Sequence, residues 1–388
     1  MLIFVLCSGL ISCASSNTTD NSSSKDTAPS LSFKMTDYEP NSDYVRLIGR
    51  SVFENGLVFM GFSSTGVEFN VSAKKLSVVI KGDSSARGSD NGSAARIVAF
   101  VNGERLLDQM LVNSVQEFVI FEGNETVQGL VQILKVSESS SSLAGIKTIS
   151  VDDSGSISPS SPRDLKIEFI GDSITCGYGV DDLVKEHHFK TSTEDNTKSY
   201  AYKTALALDA DYSMVSISGW GIVSGYSGDG TKQSSSVIPK VYDKLAFTWN
   251  SALDRIRPAS VQWDFSCFAP DFVVINLGTN DASYTKGKAE RIKEYKDAYV
   301  DFLKDVRSKN ADAYIICSLG MMGQDLCSAV EEAVAEYSSQ IGDKKICSLK
   351  FNNQSAVDGI AADWHPSEKT HEKAAAKLTA KIKEILAQ

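Results

Sequence analysis

The sequence predicts an α/β domain of three layers preceded by a β-sandwich, and three observations support this fold class. Residues 43–151 consist of short runs with period-two alternation and no helical stretch among them. A segment rich in Ser, Gly and Pro, residues 153–162, then interrupts the pattern. After it, compact apolar runs alternate with amphipathic helical patterns, as in a parallel sheet covered by helices. We therefore predict a β-sandwich over residues 33–155 and an α/β domain over residues 163–388.

The amino terminus predicts export. Residues 1–11 form an apolar run too short to span a bilayer, and Leu10-Ile11-Ser12-Cys13 resembles the signal box of a bacterial lipoprotein. We predict a signal over residues 1–13 with lipidation at Cys13, which would give a cell-surface or periplasmic lipoprotein; a cleaved ordinary signal peptide is the alternative. Residues 14–32 are mostly Ser, Thr, Asn and Asp, which predicts a flexible polar tether.

The predicted sandwich is a series of short strands. They cover residues 67–71, 76–80, 96–101, 117–121 and 131–136. A turn at Ala73-Lys74-Lys75 is predicted between the first two strands. Asn102-Gly103 is a strong signal for a tight hairpin turn, because both residues tolerate a positive φ.

The predicted α/β domain begins with a buried strand at residues 165–170. Residues 272–277 form a second apolar run typical of parallel sheets, and residues 314–317 and 345–347 are weaker candidates. Three amphipathic helices follow from apolar residues at three- and four-residue spacing. Their apolar positions include Ile292, Tyr299 and Val306, then Val330, Val334 and Tyr337, and finally Ala374, Leu378 and Ile382.

Composition excludes several classes of function. With 388 residues and 42% hydrophobic content, the chain can bury a large core, and a net charge of −10 argues against a nucleic-acid partner. The seven Cys show no CxxC pair and no metal-like spacing, so no metal or other cofactor is predicted. The five Cys of the second half are interpreted mostly as small buried apolar side chains, with a Cys317–Cys327 disulfide left open.

One stretch organises the α/β domain: a strand leads directly into Gly171-Asp172-Ser173. A small residue before a serine at the carboxyl end of a strand allows a sharp turn that exposes the hydroxyl. That edge of an α/β sheet is where ligands bind. Taken alone, Ser173 could equally be a turn residue that bonds the local backbone.

Three more segments follow in a recognisable order. They are Ser216-Ile217-Ser218-Gly219-Trp220-Gly221, Leu277-Gly278-Thr279-Asn280-Asp281 and Asp363-Trp364-His365-Pro366. Each stands at a predicted strand end or helix start. The order Ser, Gly, Asn, His resembles the SGNH (GDSL-type) hydrolase family, which implies a flavodoxin-like α/β fold.

The resemblance can be narrowed. A β-sandwich followed by the segment from Ile167 to Gly179 is similar to carbohydrate esterase family 2, the acetyl xylan esterase-like enzymes. That family joins a jelly-roll domain to an SGNH domain and removes acetyl groups from polysaccharides. Residues 180–199 and 224–268 carry no clear motif, and substrate-shaping loops are expected there.

Ester hydrolysis needs a nucleophile and a base that takes its proton. Ser173 is the candidate nucleophile. Of the four His, His187 and His188 are adjacent in a polar loop and are expected to be solvated, and His371 is expected on a helix surface. His365 stands just before the last helix and is the candidate base.

The resemblance assigns the remaining roles. It implies that Asp363 orients His365, although some members of the family use a Ser-His dyad, and a helix-capping or surface Asp is the alternative. It also implies an oxyanion hole made of the Ser173 N–H, the Gly219 N–H and the Asn280 side chain.

Neighbouring residues are weighed against simpler roles. Gly221 could be confused with Gly219, but Gly219 ends the predicted strand. Asp172 and Asp281 are expected to bond backbone around their turns. Trp364, Trp220 and Tyr178 are candidate sugar contacts beside the catalytic positions, with core packing as the alternative.

The sequence therefore predicts an exported carbohydrate O-acetyl esterase acting on an acetylated polysaccharide or oligosaccharide such as xylan or mannan, by a Ser-His-Asp mechanism. Two alternatives stay open. One is an SGNH lipase or thioesterase with another acyl specificity. The other is a glycan-binding protein without catalysis.

Overall fold

The amino-terminal part of the chain forms the predicted β-sandwich. In the computed structural model, which describes residues 32–249 and 251–388, ten strands make an antiparallel sheet. They are β1 (Met35–Tyr38), β2 (Arg46–Ile48), β3 (Val52–Glu54), β4 (Leu57–Met60), β5 (Thr65–Gly82), β6 (Ala95–Val101), β7 (Glu104–Leu111), β8 (Val115–Lys135), β9 (Ala144–Asp152) and β10 (Ser156–Pro159). The main order is β3-β4-β9-β5-β8-β6-β7; β1 pairs with β9, and β2 and β10 pair with β5. The predicted Asn102-Gly103 turn is confirmed, with both residues at positive φ between β6 and β7.

The turn predicted at Ala73-Lys74-Lys75 is wrong, because β5 continues through it. The register of β5 against β8 shifts between Ala73 and Lys75, which marks a bulge and not a chain reversal. The Asp152 carboxylate accepts the Lys74 and Lys75 N–H groups at 2.6 and 3.1 Å. A carboxylate distant in sequence therefore satisfies the donors that the bulge frees.

The carboxyl-terminal part contains a five-stranded parallel sheet within the described residues, with order β12-β11-β13-β14-β15. The strands are β11 (Leu165–Gly171), β12 (Ala210–Ser216), β13 (Phe272–Asn276), β14 (Tyr314–Leu319) and β15 (Ile346–Lys350). All residues of β12 and β13 are buried, because helices and loops cover both faces. The three-layer α/β fold class is thus confirmed.

Helices and one small ladder complete the α/β domain. The helices are α1 (Ser173–Cys176), α2 (Tyr200–Ala207), α3 (Thr279–Thr285), α4 (Ala289–Lys309), α5 (Cys327–Ile341) and α6 (Glu368–Leu386). A two-stranded ladder joins β16 (Ile360–Ala361) to β17 (His365–Pro366). The apolar stripes predicted from the sequence face the core in α4, α5 and α6. No helix among the described residues is long and apolar enough to cross a membrane.

The two sheets share their cores. Sandwich residues Phe59 and Phe62 join one hydrophobic cluster of the α/β domain, and Leu134 and Val136 join another. A buried ion pair, with Arg50 Nη2 and Glu168 Oε2 at 3.1 Å, also links them. Phe33–Gln388 accordingly form one compact unit.

The segment predicted as the joint between the two domains is partly a strand. It contains β10, which pairs with β5, so the antiparallel sheet reaches Pro159. The predicted signal with Cys13, and residues 14–31 of the predicted tether, lie outside the residues that the structure describes.

Candidate active site

The strand β11 delivers Ser173 to the carboxyl edge of the parallel sheet. Ser173 is the first residue of α1, and the Asp172 carboxylate caps this helix by accepting the Ile174 N–H at 3.0 Å. A Cβ on Gly171 would lie 2.0 Å from Thr175 Oγ1, so only glycine allows the tight strand-to-helix turn. The turn directs the Ser173 side chain towards the chain segment that precedes α6.

His365 meets the serine from that segment. Its Nε2 lies 2.8 Å from Ser173 Oγ, and its Nδ1 lies 3.0 Å from the Asp363 carbonyl oxygen and 3.3 Å from that of Ala362. A carbonyl can only accept, so Nδ1 carries the hydrogen and Nε2 is free to accept the serine proton. The arrangement is that of a nucleophile with its base.

Among the described residues, the Asp363 carboxylate makes no hydrogen bond to His365, so the predicted contact between them is wrong. Oδ2 of Asp363 accepts the Tyr178 hydroxyl and the Phe189 N–H, both at 2.9 Å, and Oδ1 lies 3.0 Å from His188 Nδ1. Asp363 has φ of 50°, a left-handed turn in which its carbonyl, and not its side chain, faces the imidazole. Asp363 therefore orients His365 through its backbone.

The predicted sugar contact at Tyr178 is also corrected. Its ring stacks on His365 with centroids 4.0 Å apart and on Phe189 with centroids 4.2 Å apart. Two rings at such distances must cover opposite faces, so Tyr178 has no face left for a sugar. Tyr178 instead holds His365 in place, and it bonds Asp363 as well.

This packing changes the acid–base properties of the site. Desolvation lowers the pKa of His365 to about 4, although its bonds to the two backbone carbonyls act in the opposite direction. Burial tends to raise the pKa of Asp363, but hydrogen bonds from His188 and Tyr178 lower it overall. His365 is therefore neutral, as a base must be, at ordinary pH.

Gly219 lies in the loop after β12. It adopts φ of 79°, its N–H donates to no acceptor among the described residues, and a Cβ there would have no neighbour within 4 Å. By contrast, the Gly221 N–H donates to the Ser236 carbonyl at 3.3 Å. Of the two, Gly219 therefore has the N–H that is available to an oxyanion, and its role there stays a prediction.

Asn280 is buried close to the same loop. Its Nδ2 donates to the Trp220 carbonyl at 2.7 Å and to Asp172 Oδ2 at 3.2 Å. Both amide hydrogens are therefore engaged here, and donation to an oxyanion would require exchange of one of these bonds. Its role in the oxyanion hole stays a prediction.

The expected backbone roles of Asp172 and Asp281 are confirmed. Besides the cap made by Asp172, the Asp281 carboxylate accepts the N–H groups of Ile222, Val223 and Ser224 at 2.8–3.1 Å. Burial raises the pKa of Asp172 to about 7 and that of Asp281 to about 6. These two carboxyls therefore titrate closer to neutral pH than His365 does.

The two predicted tryptophan contacts differ. Trp364 is 53% exposed beside His365, with Lys185 Nζ 4.2 Å from its ring centroid, so it can offer a face to a sugar. Trp220 is only 2% exposed and packs on Phe247, which favours core packing. Trp249, which no sequence motif indicates, is 60% exposed, and its ring centroid lies 5.0 Å from that of Phe247.

None of the other histidines contacts Ser173 among the described residues. His187 and His188 are exposed, as expected, and pair with Asp182 and Asp363. The surface position expected for His371 is wrong: it is fully buried and its Nδ1 accepts the Tyr200 N–H at 3.1 Å, because α2 packs against α6.

The open question of a disulfide is also answered. Cys317 and Cys327 are both free, as are the other three Cys of the second half; Cys176, Cys317 and Cys327 are buried as predicted, whereas Cys347 is half-buried and Cys267 is exposed. Across residues 32–249 and 251–388, no three His, Cys, Asp or Glu side chains group as a metal site would require.

The fold and the Ser173–His365 pair define a serine hydrolase of the SGNH type, and comparison with known proteins agrees. The model of the GDSL-like Lipase/Acylhydrolase family matches residues 167–378. A family two carbohydrate esterase from Clostridium thermocellum, solved with cellohexaose, is 30% identical, with 88% of this chain and 99% of that chain covered and a TM-score of 0.75. The chain belongs to the GDSL-like lipase/acylhydrolases and, within them, to carbohydrate esterase family 2.

Two further relatives are similar over most of the chain. The acetyl xylan esterase Est2A from Butyrivibrio proteoclasticus is 25% identical, with 92% of this chain and 99% of that chain covered and a TM-score of 0.82. The cellulase/esterase CelE of Acetivibrio thermocellus is 33% identical over 342 residues, which are 84% of this chain and 37% of CelE. The chain thus spans well under two thirds of the length of this curated relative.

Proposed function

We propose that this protein is a carbohydrate O-acetyl esterase that removes acetyl groups from plant polysaccharides such as xylan or mannan. The observation that carries the proposal is the 2.8 Å contact between Ser173 Oγ and His365 Nε2. The names of the relatives support the substrate class, since two from Cellvibrio japonicus are acetylxylan esterase / glucomannan deacetylases, at 27% and 32% identity.

The first half of the reaction transfers the acetyl group. Ser173 Oγ attacks the acetyl carbonyl carbon while His365 Nε2 takes the serine proton. The imidazolium is stabilised by the Asp363 and Ala362 carbonyls, which accept from Nδ1. The Gly219 N–H, which has no protein acceptor among the described residues, is available to the developing oxyanion. His365 Nε2 then protonates the sugar oxygen as it leaves.

The second half releases acetate. Water attacks the acetyl-Ser173 ester, and His365 takes a proton from this water and returns it to Ser173 Oγ. The base acts twice and ends each cycle neutral. No cofactor enters these steps, since ester hydrolysis needs only the nucleophile, the base and the oxyanion donors.

Ser173→Ala tests the proposal. We expect it to abolish acetate release from acetylated xylan and mannan oligosaccharides. Ser266→Ala, which changes an exposed serine before β13, should leave release unchanged. Full activity of Ser173→Ala would rule out the mechanism. A series of 4-nitrophenyl esters tests acyl choice in the same preparations, because a preference for C8 over C2 would favour a lipase.

We also propose that the protein is exported and lipid-anchored through Cys13, on the basis of the Leu10-Ile11-Ser12-Cys13 sequence. The 14–32 segment would then hold the enzyme away from the membrane surface. Labelling of the full chain with a fatty-acid analogue in a bacterial host should mark the native protein and not Cys13→Ser. Equal labelling of both would contradict the anchor at this residue.

A further inference from the structure

A buried carboxylate from the sandwich reaches the loop that follows β12 in the α/β domain. This loop, residues 217–224, carries Gly219 and is called the oxyanion loop below. Glu138, in the segment after β8, is 2% exposed, and its Oε2 accepts the Ser218 N–H at 2.8 Å. Ser218 immediately precedes Gly219. The two partners of this bond are 80 residues apart in sequence, and they lie in the loops that follow β8 and β12, strands of two different sheets.

Glu138 is itself held from two sides. Its N–H donates to Glu194 Oε2 at 2.8 Å, and its carbonyl accepts from Lys135 Nζ at 3.1 Å. Lys135 is fully buried and also donates to the carbonyls of Ser137 and Gly61. The backbone that carries the Glu138 side chain is therefore fixed, which makes the carboxylate a rigid acceptor.

The loop that receives this bond is also restrained just beyond the donor, since the Trp220 N–H donates to the Ile217 carbonyl at 3.3 Å and the Trp220 carbonyl accepts from Asn280 Nδ2 at 2.7 Å. Gly219 adopts a positive φ, and its carbonyl accepts the Tyr226 N–H at 2.8 Å. The bond from the Ser218 N–H to Glu138 fixes the peptide group before the one that carries the Gly219 N–H. The bond from Tyr226 fixes the peptide group after it. An oxyanion donor works only if it is aimed in advance, and a displacement of 1 Å can cost about a hundredfold in rate.

We propose that Glu138 is a positioning residue for the oxyanion hole, supplied by the sandwich to the α/β domain. It acts by accepting the Ser218 N–H and thereby aiming the Gly219 N–H at the tetrahedral intermediate. The sandwich is then a working part of the active site and not only a brace. This inference rests on the proposed role of Ser173 and Gly219.

Three variants test the inference. Glu138→Asp shortens the side chain by about 1.5 Å, one carbon–carbon bond, and so withdraws the acceptor from Ser218. Glu138→Gln keeps the length of the side chain and an oxygen that can accept the Ser218 N–H. Glu168→Asp is the matched control: it shortens another buried carboxylate that bonds Arg50 across the same two sheets, away from the oxyanion loop.

The measurements are kcat and KM on 4-nitrophenyl acetate, with active sites counted by organophosphate titration of Ser173. We expect kcat per active site to fall about tenfold in Glu138→Asp with KM within threefold, because an oxyanion donor acts in the transition state. We expect Glu138→Gln to stay within threefold of the native enzyme. Glu168→Asp should lower the melting temperature without changing kcat per active site.

A second readout separates this inference from the proposed function. Methylboronic acid forms a tetrahedral adduct on Ser173 whose oxygen occupies the oxyanion hole, whatever ester the enzyme prefers. Its inhibition constant should weaken about tenfold in Glu138→Asp and stay within threefold in Glu138→Gln. An enzyme that releases no acetate from glycans but keeps this pattern would overturn only the proposed substrate.

Two results would overturn the role of Glu138. The first is a Glu138→Asp variant with native kcat and native boronate affinity. The second is an equal loss in Glu138→Gln or in Glu168→Asp, since the effect would then not depend on the oxygen that faces Ser218.

Discussion

The two sides of the active site are held in different ways. The histidine side is the turn that carries His365, and the serine side consists of Ser173 and the oxyanion loop with Gly219. His365 is oriented by the carbonyls of Ala362 and Asp363, three and two residues before it in the chain. The loop with Gly219 is instead held by Glu138 from the sandwich and by Asp281 from α3. One side is built from a local turn and the other from contacts between distant elements.

This difference shows where carboxylates matter in this enzyme. On the histidine side, Asp363 is next to the base in sequence, yet its carboxylate bonds Tyr178, Phe189 and His188. On the serine side, buried carboxylates bond the N–H groups that shape the oxyanion loop. We infer that loss of charge is tolerated at Asp363, and that loss of the acceptor oxygen is costly on the serine side.

The largest effect is expected for the base itself. His365→Ala should lower kcat by about 10²–10⁴, because no other described side chain lies within hydrogen-bond distance of Ser173 Oγ. Steady-state kinetics on 4-nitrophenyl acetate measure this, with His187→Ala as an exposed control. A loss below tenfold would mean that the histidine side does not supply the base.

A smaller loss is expected at Asp281. Asp281→Ala leaves three N–H groups of the oxyanion loop without their acceptor, which should lower the free energy of unfolding by roughly 3 kcal/mol. We expect kcat to fall about tenfold as the loop loosens. Denaturant titration and kinetics check both, with Asp264→Ala, an exposed turn residue, as the control. A variant with native stability and native kcat would contradict the role of Asp281 in holding the oxyanion loop.

Asp363→Asn should change kcat by less than about threefold. The asparagine oxygen can still accept from Tyr178 and Phe189, and the backbone carbonyl that orients His365 remains. Loss of an Asp that orients the base through its carboxylate costs about 10⁴ in other serine hydrolases. A drop of that size here would show that the carboxylate, and not the carbonyl, orients His365.

The smallest change is expected in the protonation of His365 on mild acidification. With a pKa of about 4, His365 should stay neutral at pH 5.5, whereas an ordinary pKa of 6.5 would leave only about a tenth of it neutral. An NMR titration of the ring Cε1–H, assigned by comparison with His365→Ala, measures this. A midpoint near 6.5 would contradict the desolvated site.

The rate profile adds a second test of the same comparison. If kcat/KM falls near pH 6–7 while the His365 signal does not move, the titrating group belongs to the serine side. Burial gives Asp172 and Asp281 pKa values of about 7 and about 6. Protonation would remove the charge from carboxyls that hold the loop and the start of α1, so activity would fall with falling pH.

Much of the site could be predicted because its groups stand in short, ordered segments. Gly171-Asp172-Ser173 requires a glycine before the turn, and His365 precedes a helix whose apolar stripe is plain in the sequence. Contacts that depend on the backbone direction within a turn are not predicted correctly. For Asp363 and Tyr178, the sequence predicts the correct neighbourhood of the active site but the wrong contacts.

The fold class, the family and the order of the catalytic segments can be read from the amino-acid sequence, because hydrophobic period and short motifs are local properties. Three features depend on tertiary contacts instead: the Asp363 carbonyl orients the base, His371 is buried, and Glu138 reaches Ser218. These depend on how two sheets pack against each other. A hydrogen bond across 80 residues leaves no periodic trace in either segment that makes it.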